Sequence, residues 1–110
     1  MTIHYASNKL ERQLSSATEI KKAFGVNARR VQLRMDDIRA SPSLAVLMQI
    51  PAANCHKLTG NRKGEWAVNI SVNHRMIFEI ADNPVPENEQ GGVNTILVKE
   101  IRILNTEDYH

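Results

Sequence analysis

The chain has 110 residues, a net charge of +2 and a composition that is 42% hydrophobic and 24% charged. This length predicts a single domain over residues 1–110 with one modest core. The sequence contains no apolar run of the ~20 residues that a membrane span needs, and its start has no signal-peptide pattern. Its one cysteine, Cys55, excludes an internal disulfide. We therefore expect a cytoplasmic protein without a membrane segment.

The first third of the chain has the periodicity of amphipathic helices. One apolar stripe covers residues 10–24, and Gly25 is expected to end that helix. A second stripe covers residues 28–38 and must end before Pro42, because proline disfavours helix at the preceding residue. The sequence therefore predicts a helical hairpin.

After an apolar connector at 43–51, the hydrophobic period changes to two, which indicates β-strands. Gly60 and Gly64 favour a turn between the first two strands. An acidic, proline- and glycine-containing loop follows the third strand, and the last six residues are expected to form a polar tail. We predict strands at 55–58, 66–70, 76–80 and 93–104.

This order of elements predicts an α+β fold, in which the N-terminal helical hairpin packs on a small, four-stranded, mainly antiparallel sheet. Helices on one face would leave the other face partly open. Residues 56–75 contain four Lys or Arg against Glu65 alone, so we expect that open face to be cationic and to bind an anion. A second basic cluster at 21–39 fits either an anionic partner or a solvated helix face.

The chain lacks the CxxC and HExxH motifs of familiar zinc sites, and no glycine-rich phosphate loop precedes a helix. We therefore predict no metal and no cofactor. Histidine and arginine side chains remain, and they are sufficient for RNA cleavage, in which a base activates the 2′-hydroxyl, an acid protonates the 5′-oxygen and cations stabilise the charge on phosphorus.

Three motifs in this order resemble the HigB branch of the RelE/ParE toxin superfamily. They are the Leu-x-Gly-Asn-Arg-x-Gly turn at 58–64, the Asn-x-Arg-x-x-Phe strand at 73–78 and the terminal Asp-Tyr-His at 108–110. The resemblance implies a RelE-like fold and a ribosome-dependent messenger-RNA endonuclease that acts without metal. It also implies a helix-turn-helix antitoxin of the HigA type as partner, besides the ribosome and messenger RNA.

The resemblance also assigns roles to individual residues, in two sets. The catalytic set comprises His56, Arg75, Asp108, Tyr109 and His110. The RNA- and ribosome-binding set comprises Lys57, Arg62, Lys63, Arg29 and Arg30. The chain departs from the family at Thr59, where many members have lysine, and Lys57 could replace that lysine.

Other functions fit parts of the same sequence. A ParE-like inhibitor of DNA gyrase would share the fold and cut nothing, and a nucleic-acid-binding module without catalysis would bind in a salt-dependent way. Structural roles are also open, since Arg75 could pair with Glu79 or Glu100. We expect an antitoxin to bind the helical hairpin or the active face, through groups that meet Arg29, Arg30, Arg34 or Arg75.

Overall fold

The structure, a computed structural model, describes residues 1–108. Strand β1 (Thr2–Tyr5) is followed by helices α1 (Asn8–Gln13), α2 (Ala17–Phe24), α3 (Ala28–Ala40) and α4 (Leu44–Leu47), and then by strands β2 (His56–Lys57), β3 (Glu65–Asn69), β4 (His74–Ile80) and β5 (Glu100–Asp108). The strands form one sheet in the order β1-β5-β4-β3-β2, in which only the β1–β5 pair is parallel. The predicted α+β class is confirmed, and the described helices include none long and apolar enough to span a membrane.

The sheet has five strands where the sequence predicted four. The additional strand is β1, in which Ile3 lies opposite Ile101 of β5. Four residues carry little periodicity of their own, and the partner that makes them a strand is almost a full chain length away. The pattern therefore gave no local reason to assign a strand there.

The predicted helix over residues 10–24 is two helices, because serine side chains bind the backbone between them. The hydroxyl of Ser15 donates to the Arg12 carbonyl at 2.8 Å, and the hydroxyl of Ser16 accepts from the Glu19 amide at 3.2 Å. Ser16 thus caps α2, with Glu19 at the position that a capping box requires. Gly25, with φ of +53°, ends α2 as predicted.

Strand β5 begins later and ends later than the predicted strand 93–104. Before Glu100 the chain crosses the start of α4, where the carbonyls of Thr95 and Val98 accept from the first two amides of that helix. Those amides have no acceptor within the helix. The segment before Glu100 accepts their hydrogen bonds instead of pairing with a neighbouring strand. Beyond residue 104 the expected tail is strand as far as Asp108, paired with β4.

The main core lies between the helices and one face of the sheet. Trp66 is buried there, and its ring stacks on Phe78 with 6.3 Å between the centroids. Cys55 is also buried, and burial raises the pKa of its thiol to about 12, so the thiol stays protonated at neutral pH. Other fully buried residues of this core are Leu14, Val31, Met35, Ile38, Val68, Met76, Ile101 and Ile103.

Arg34 joins the helix layer to the sheet. Only 5% of its surface is exposed, its Nε donates to the carbonyl of Asn69 at 2.6 Å, and its Nη1 donates to the carboxylate of Asp37 at 2.6 Å. The expectation that an antitoxin could contact Arg34 is therefore wrong, since this guanidinium is buried among its own partners.

We predict that Arg34→Ala lowers the free energy of unfolding by about 2–4 kcal/mol, because Asp37 and the Asn69 carbonyl each lose a buried donor. Arg30→Ala, an exposed position on the same helix, is the control and should change stability by less than about 0.5 kcal/mol. Urea denaturation of both variants measures the difference, and equal effects would contradict the structural role of Arg34.

Candidate functional site on the open sheet face

The sheet face turned away from the helices, called the open face below, carries two of the predicted catalytic residues. His56 lies opposite Ala67, and Ala67 lies opposite Ile77. Arg75 is two residues before Ile77 on β4, so strand alternation places it on the same face. A small apolar cluster lies at the centre of this face and comprises Leu58, Ala67, Ile77 and the partly buried Leu104.

A bulge in β5 decides which of its side chains reach the open face. Phe78 pairs with Ile103, whereas its neighbour Ile77 pairs with Asn105, so Leu104 is the extra residue. Without the bulge, Glu107 would follow Ile103 onto the helix-covered face. With it, Glu107 lies opposite Arg75 on the open face.

Glu107 binds two arginines at once. Its Oε1 accepts from Nη2 of Arg62 at 2.6 Å, and its Oε2 accepts from Nη1 of Arg62 at 3.1 Å and from Nε of Arg75 at 3.0 Å. Arg62 also donates to the carboxylate of Glu65 through Nε at 2.9 Å. Four elements therefore meet in one ion network, namely the turn before β3, the start of β3, strand β4 and the end of strand β5.

The network shifts the pKa values of Glu107 and Arg62 in the directions expected for opposite charges. Hydrogen bonds from Arg62, followed by those from Arg75, hold the pKa of Glu107 below its usual value. Hydrogen bonds to Glu107 and Glu65 raise the pKa of Arg62. The formal charges of the two arginines and the two glutamates cancel.

The expectation of a cationic open face is wrong for the same reason. Besides the network, Arg102 pairs with Glu79 at 3.0 Å, and His4 contacts Glu100 at 2.8 Å. The sequence pattern missed these acids because they come from β4 and β5, outside the basic segment 56–75. Arg75 does pair with a glutamate, but the partner is Glu107 instead of Glu79 or Glu100.

The ring of His56 is oriented by a backbone carbonyl. Its Nδ1 lies 2.7 Å from the carbonyl oxygen of Asn54, a residue in the left-handed region with φ of +42°. A carbonyl only accepts, so Nδ1 carries the hydrogen, and in the neutral ring Nε2 then carries the lone pair. That tautomer suits a general base.

Strand spacing separates the α-carbons of His56 and Arg75 by roughly 12 Å.

The structure does not place Asp108 with these two residues. Asp108 lies opposite His74, and its Oδ2 is 3.5 Å from Nε2 of that histidine. Both residues line a cavity of about 630 Å³ between the end of β5 and helices α1 and α2, on the helix side of the sheet. Tyr109 and His110, the other members of the predicted trio, lie outside the described residues.

The predicted binding residues are distributed over two surfaces. Lys57 lies opposite Trp66 and thus points away from the face of His56. Lys63 is exposed in the turn, whereas Arg62 of the same turn is held by Glu65 and Glu107. Arg29 and Arg30 are exposed on α3, in the helix layer.

A groove of about 600 Å³ runs between α2 and α3 on the outer side of the helix layer. Its apolar lining includes Ile20, Leu33 and Val26, of which Leu33 is 54% exposed and Val26 is 98% exposed. Lys21 and Arg29 also line the groove and give it basic groups beside the apolar ones. Sequence periodicity indicated helices here and did not indicate a groove.

Comparisons with solved structures find seven similar chains. A YoeB/ParE toxin from Agrobacterium tumefaciens matches over 100% of both chains with a TM-score of 0.49 and 15% sequence identity. A similarity at this level carries no argument about function. No protein-family model matches the chain, and the search of the curated proteins gives no match.

We predict that Glu107→Gln destabilises the protein at neutral pH and much less in acid. The pKa of Glu107 is lowered on folding, so its network contributes stability above the ordinary value of 4.5, and this contribution is lost as the pH falls through the folded-state pKa. Urea midpoints of wild type and variant at about pH 7 and about pH 3 measure this. Glu89→Gln, in an exposed loop, is the control, and a pH-independent difference for Glu107→Gln would refute the prediction.

Proposed function

We propose that this chain is a HigB-type toxin of a type II toxin–antitoxin pair, and that it cleaves ribosome-bound messenger RNA without a metal ion. The observation that supports this most directly is the shared open face of His56 and Arg75, with the His56 tautomer fixed by Asn54. The turn, strand and tail motifs support the same reading, and so does the α+β arrangement that leaves one sheet face without helices.

The proposed reaction uses His56 and Arg75 of the open face together with one residue of the C-terminal Asp-Tyr-His. Nε2 of His56 removes the proton of a 2′-hydroxyl, the 2′-oxygen bonds to the adjacent phosphorus, and the bond from phosphorus to the 5′-oxygen breaks. Arg75 stabilises the charge on the phosphoryl oxygens. An acid from the C-terminal Asp-Tyr-His then protonates the leaving 5′-oxygen, so the products carry a 2′,3′-cyclic phosphate and a 5′-hydroxyl.

The basic residues outside the network are the proposed contacts to ribosomal RNA. Lys57 and Lys63 are both exposed near the β2 edge of the sheet, Lys57 on the side away from His56 and Lys63 in the turn before β3. Arg29 and Arg30 lie on α3, so a contact through them would involve the helix layer. Phosphate contacts of this kind position a protein on RNA without reading sequence.

The main alternative is gyrase inhibition, which needs a protein-binding surface and no acid–base groups. The oriented ring of His56 favours cleavage, because a general base needs a defined tautomer and gyrase inhibition needs no acid–base group. A nucleic-acid-binding module without catalysis is the third possibility, and it shares the arginines but not the need for His56.

We predict that induced expression of this chain without an antitoxin arrests growth and cuts translated messages within codons, as seen by primer extension. Arg75→Ala, His56→Ala and His110→Ala should each lower the cleavage rate by about 10²–10⁴. Arg102→Ala, which removes another paired arginine from the same face, is the control and should remain toxic. Intact messages with altered DNA supercoiling would support gyrase inhibition instead.

The proposed antitoxin occupies the α2–α3 groove. A helix-turn-helix protein needs its basic surface for DNA, so it would present apolar and acidic groups to its toxin. The groove offers apolar residues Leu33 and Val26 beside the cations of Lys21 and Arg29, which is the complementary pattern. This placement leaves the open face available for RNA.

We predict that Leu33→Asp weakens neutralisation by the antitoxin about tenfold or more, since it puts a carboxylate into an apolar contact that faces acidic groups. Ile96→Asp is the control, because Ile96 is 67% exposed in the loop before β5 and is absent from the lining of the groove. Growth rescue and the affinity of the purified pair measure the effect. If both variants are neutralised as well as wild type, the antitoxin binds elsewhere.

A further inference from the structure

Glu107 has an unusual position for a carboxylate on a surface proposed to bind RNA. Both of its oxygens accept hydrogen bonds from arginines, and those arginines come from different elements, the turn before β3 and strand β4. A phosphodiester could accept the same hydrogen bonds. Its two non-bridging oxygens can also bind one guanidinium in a forked arrangement and a second guanidinium beside it.

We propose that Arg62 and Arg75 form a phosphodiester-binding site that Glu107 occupies in the free protein, so that single-stranded RNA binds by displacing an internal carboxylate. In naming RNA as the ligand, this inference rests on the proposed function. It adds Arg62 as a second phosphate ligand and makes Glu107 a competitor that belongs to the protein itself.

The exchange is feasible because the charges match. A phosphodiester and a carboxylate each carry one negative charge, so replacement leaves the net charge around Arg62 and Arg75 unchanged. The side chain of Glu107 is 23% exposed and lies one residue before the end of β5. A rotation about its side-chain bonds would bring the carboxylate into water, where solvation replaces part of what the arginines supplied.

The exchange also lowers the affinity for phosphates that bring no other contact. An RNA phosphate can bind Arg62 and Arg75 only after Glu107 has released them, so the net free energy of binding per phosphate is small. A ligand that also reaches His56 or the basic edge residues gains enough to displace the carboxylate. Glu107 would thus weaken the binding of RNA in general, but a substrate that also contacts His56 or the basic edge residues would still bind.

The test is the affinity for a labelled 2′-O-methyl oligouridylate, which cannot be cleaved because its 2′-oxygen is blocked. Glu107→Gln should bind it about tenfold more tightly than wild type, since one charge-assisted competitor is removed. Glu79→Gln, which removes another carboxylate from the same face where it pairs with Arg102, is the control and should change affinity less than about twofold. Adding Arg62→Ala to Glu107→Gln should abolish the gain.

An unchanged or weaker affinity of Glu107→Gln would overturn the inference and make Glu107 a positioning residue for the two arginines. If that variant does not fold, the wild-type protein decides, because RNA should shift the Nε–H resonances of Arg62 and Arg75 and leave that of Arg102 in place. If Glu107→Gln binds the oligonucleotide more tightly but the wild-type protein does not cleave messenger RNA on ribosomes, the phosphate site stands and the proposed endonuclease activity is refuted. Cleavage without the gain would refute only the site.

Discussion

The bulge at Leu104 is the constraint on which the open face depends. Before it, Ile101 and Ile103 of β5 lie in the core beneath the helices. After it, the alternation is reversed, so that Asn105 and Glu107 lie opposite Ile77 and Arg75 on the other face. A regular strand would put the carboxylate of Glu107 on the helix side, away from Arg62 and Arg75. One strand can therefore serve both the core and the candidate site.

Net charge does not distinguish this sheet face, because its arginines and glutamates balance. What differs is how the charges are shared. Arg102 has its own carboxylate in Glu79, whereas Glu107 is divided between Arg62 and Arg75. An anion that displaced Glu107 would find two guanidinium donors on neighbouring elements, whereas one that displaced Glu79 would find a single arginine.

Features set by local chemistry were predictable from the sequence. Pro42 ends α3, Gly25 ends α2, and the alternation around Trp66 identifies a strand with one buried face. Features set by distant partners were not predictable, and the β1–β5 pairing is one example. Glu107 is another, because its role depends on a bulge and on a turn 45 residues earlier in the chain.

Arg34 shows a limit of a different kind. Counting basic residues over 21–39 gives no direction for each side chain, yet the apolar spacing of Val31, Met35 and Ile38 already places position 34 within the buried arc of α3. Charge and periodicity have to be combined to identify such an arginine before a structure exists. The candidate site had a comparable ambiguity, since the resemblance named His56 and Arg75 as catalytic residues, while their common face and the partner of each side chain came only from the fold.

Helix α3 lies between the two proposed binding surfaces, the α2–α3 groove for the antitoxin and the open face for RNA, and it has residues directed toward each. Its outer side contributes Leu33 to the groove, and its inner side contributes Arg34, which binds the carbonyl of Asn69. Asn69 is in turn the residue opposite Arg75 in the sheet. A substitution at Arg34 would therefore disturb the core, and through Asn69 the arginine of the open face. Substitutions at Leu33 change only the outer side, so they can separate antitoxin binding from RNA binding on the same helix.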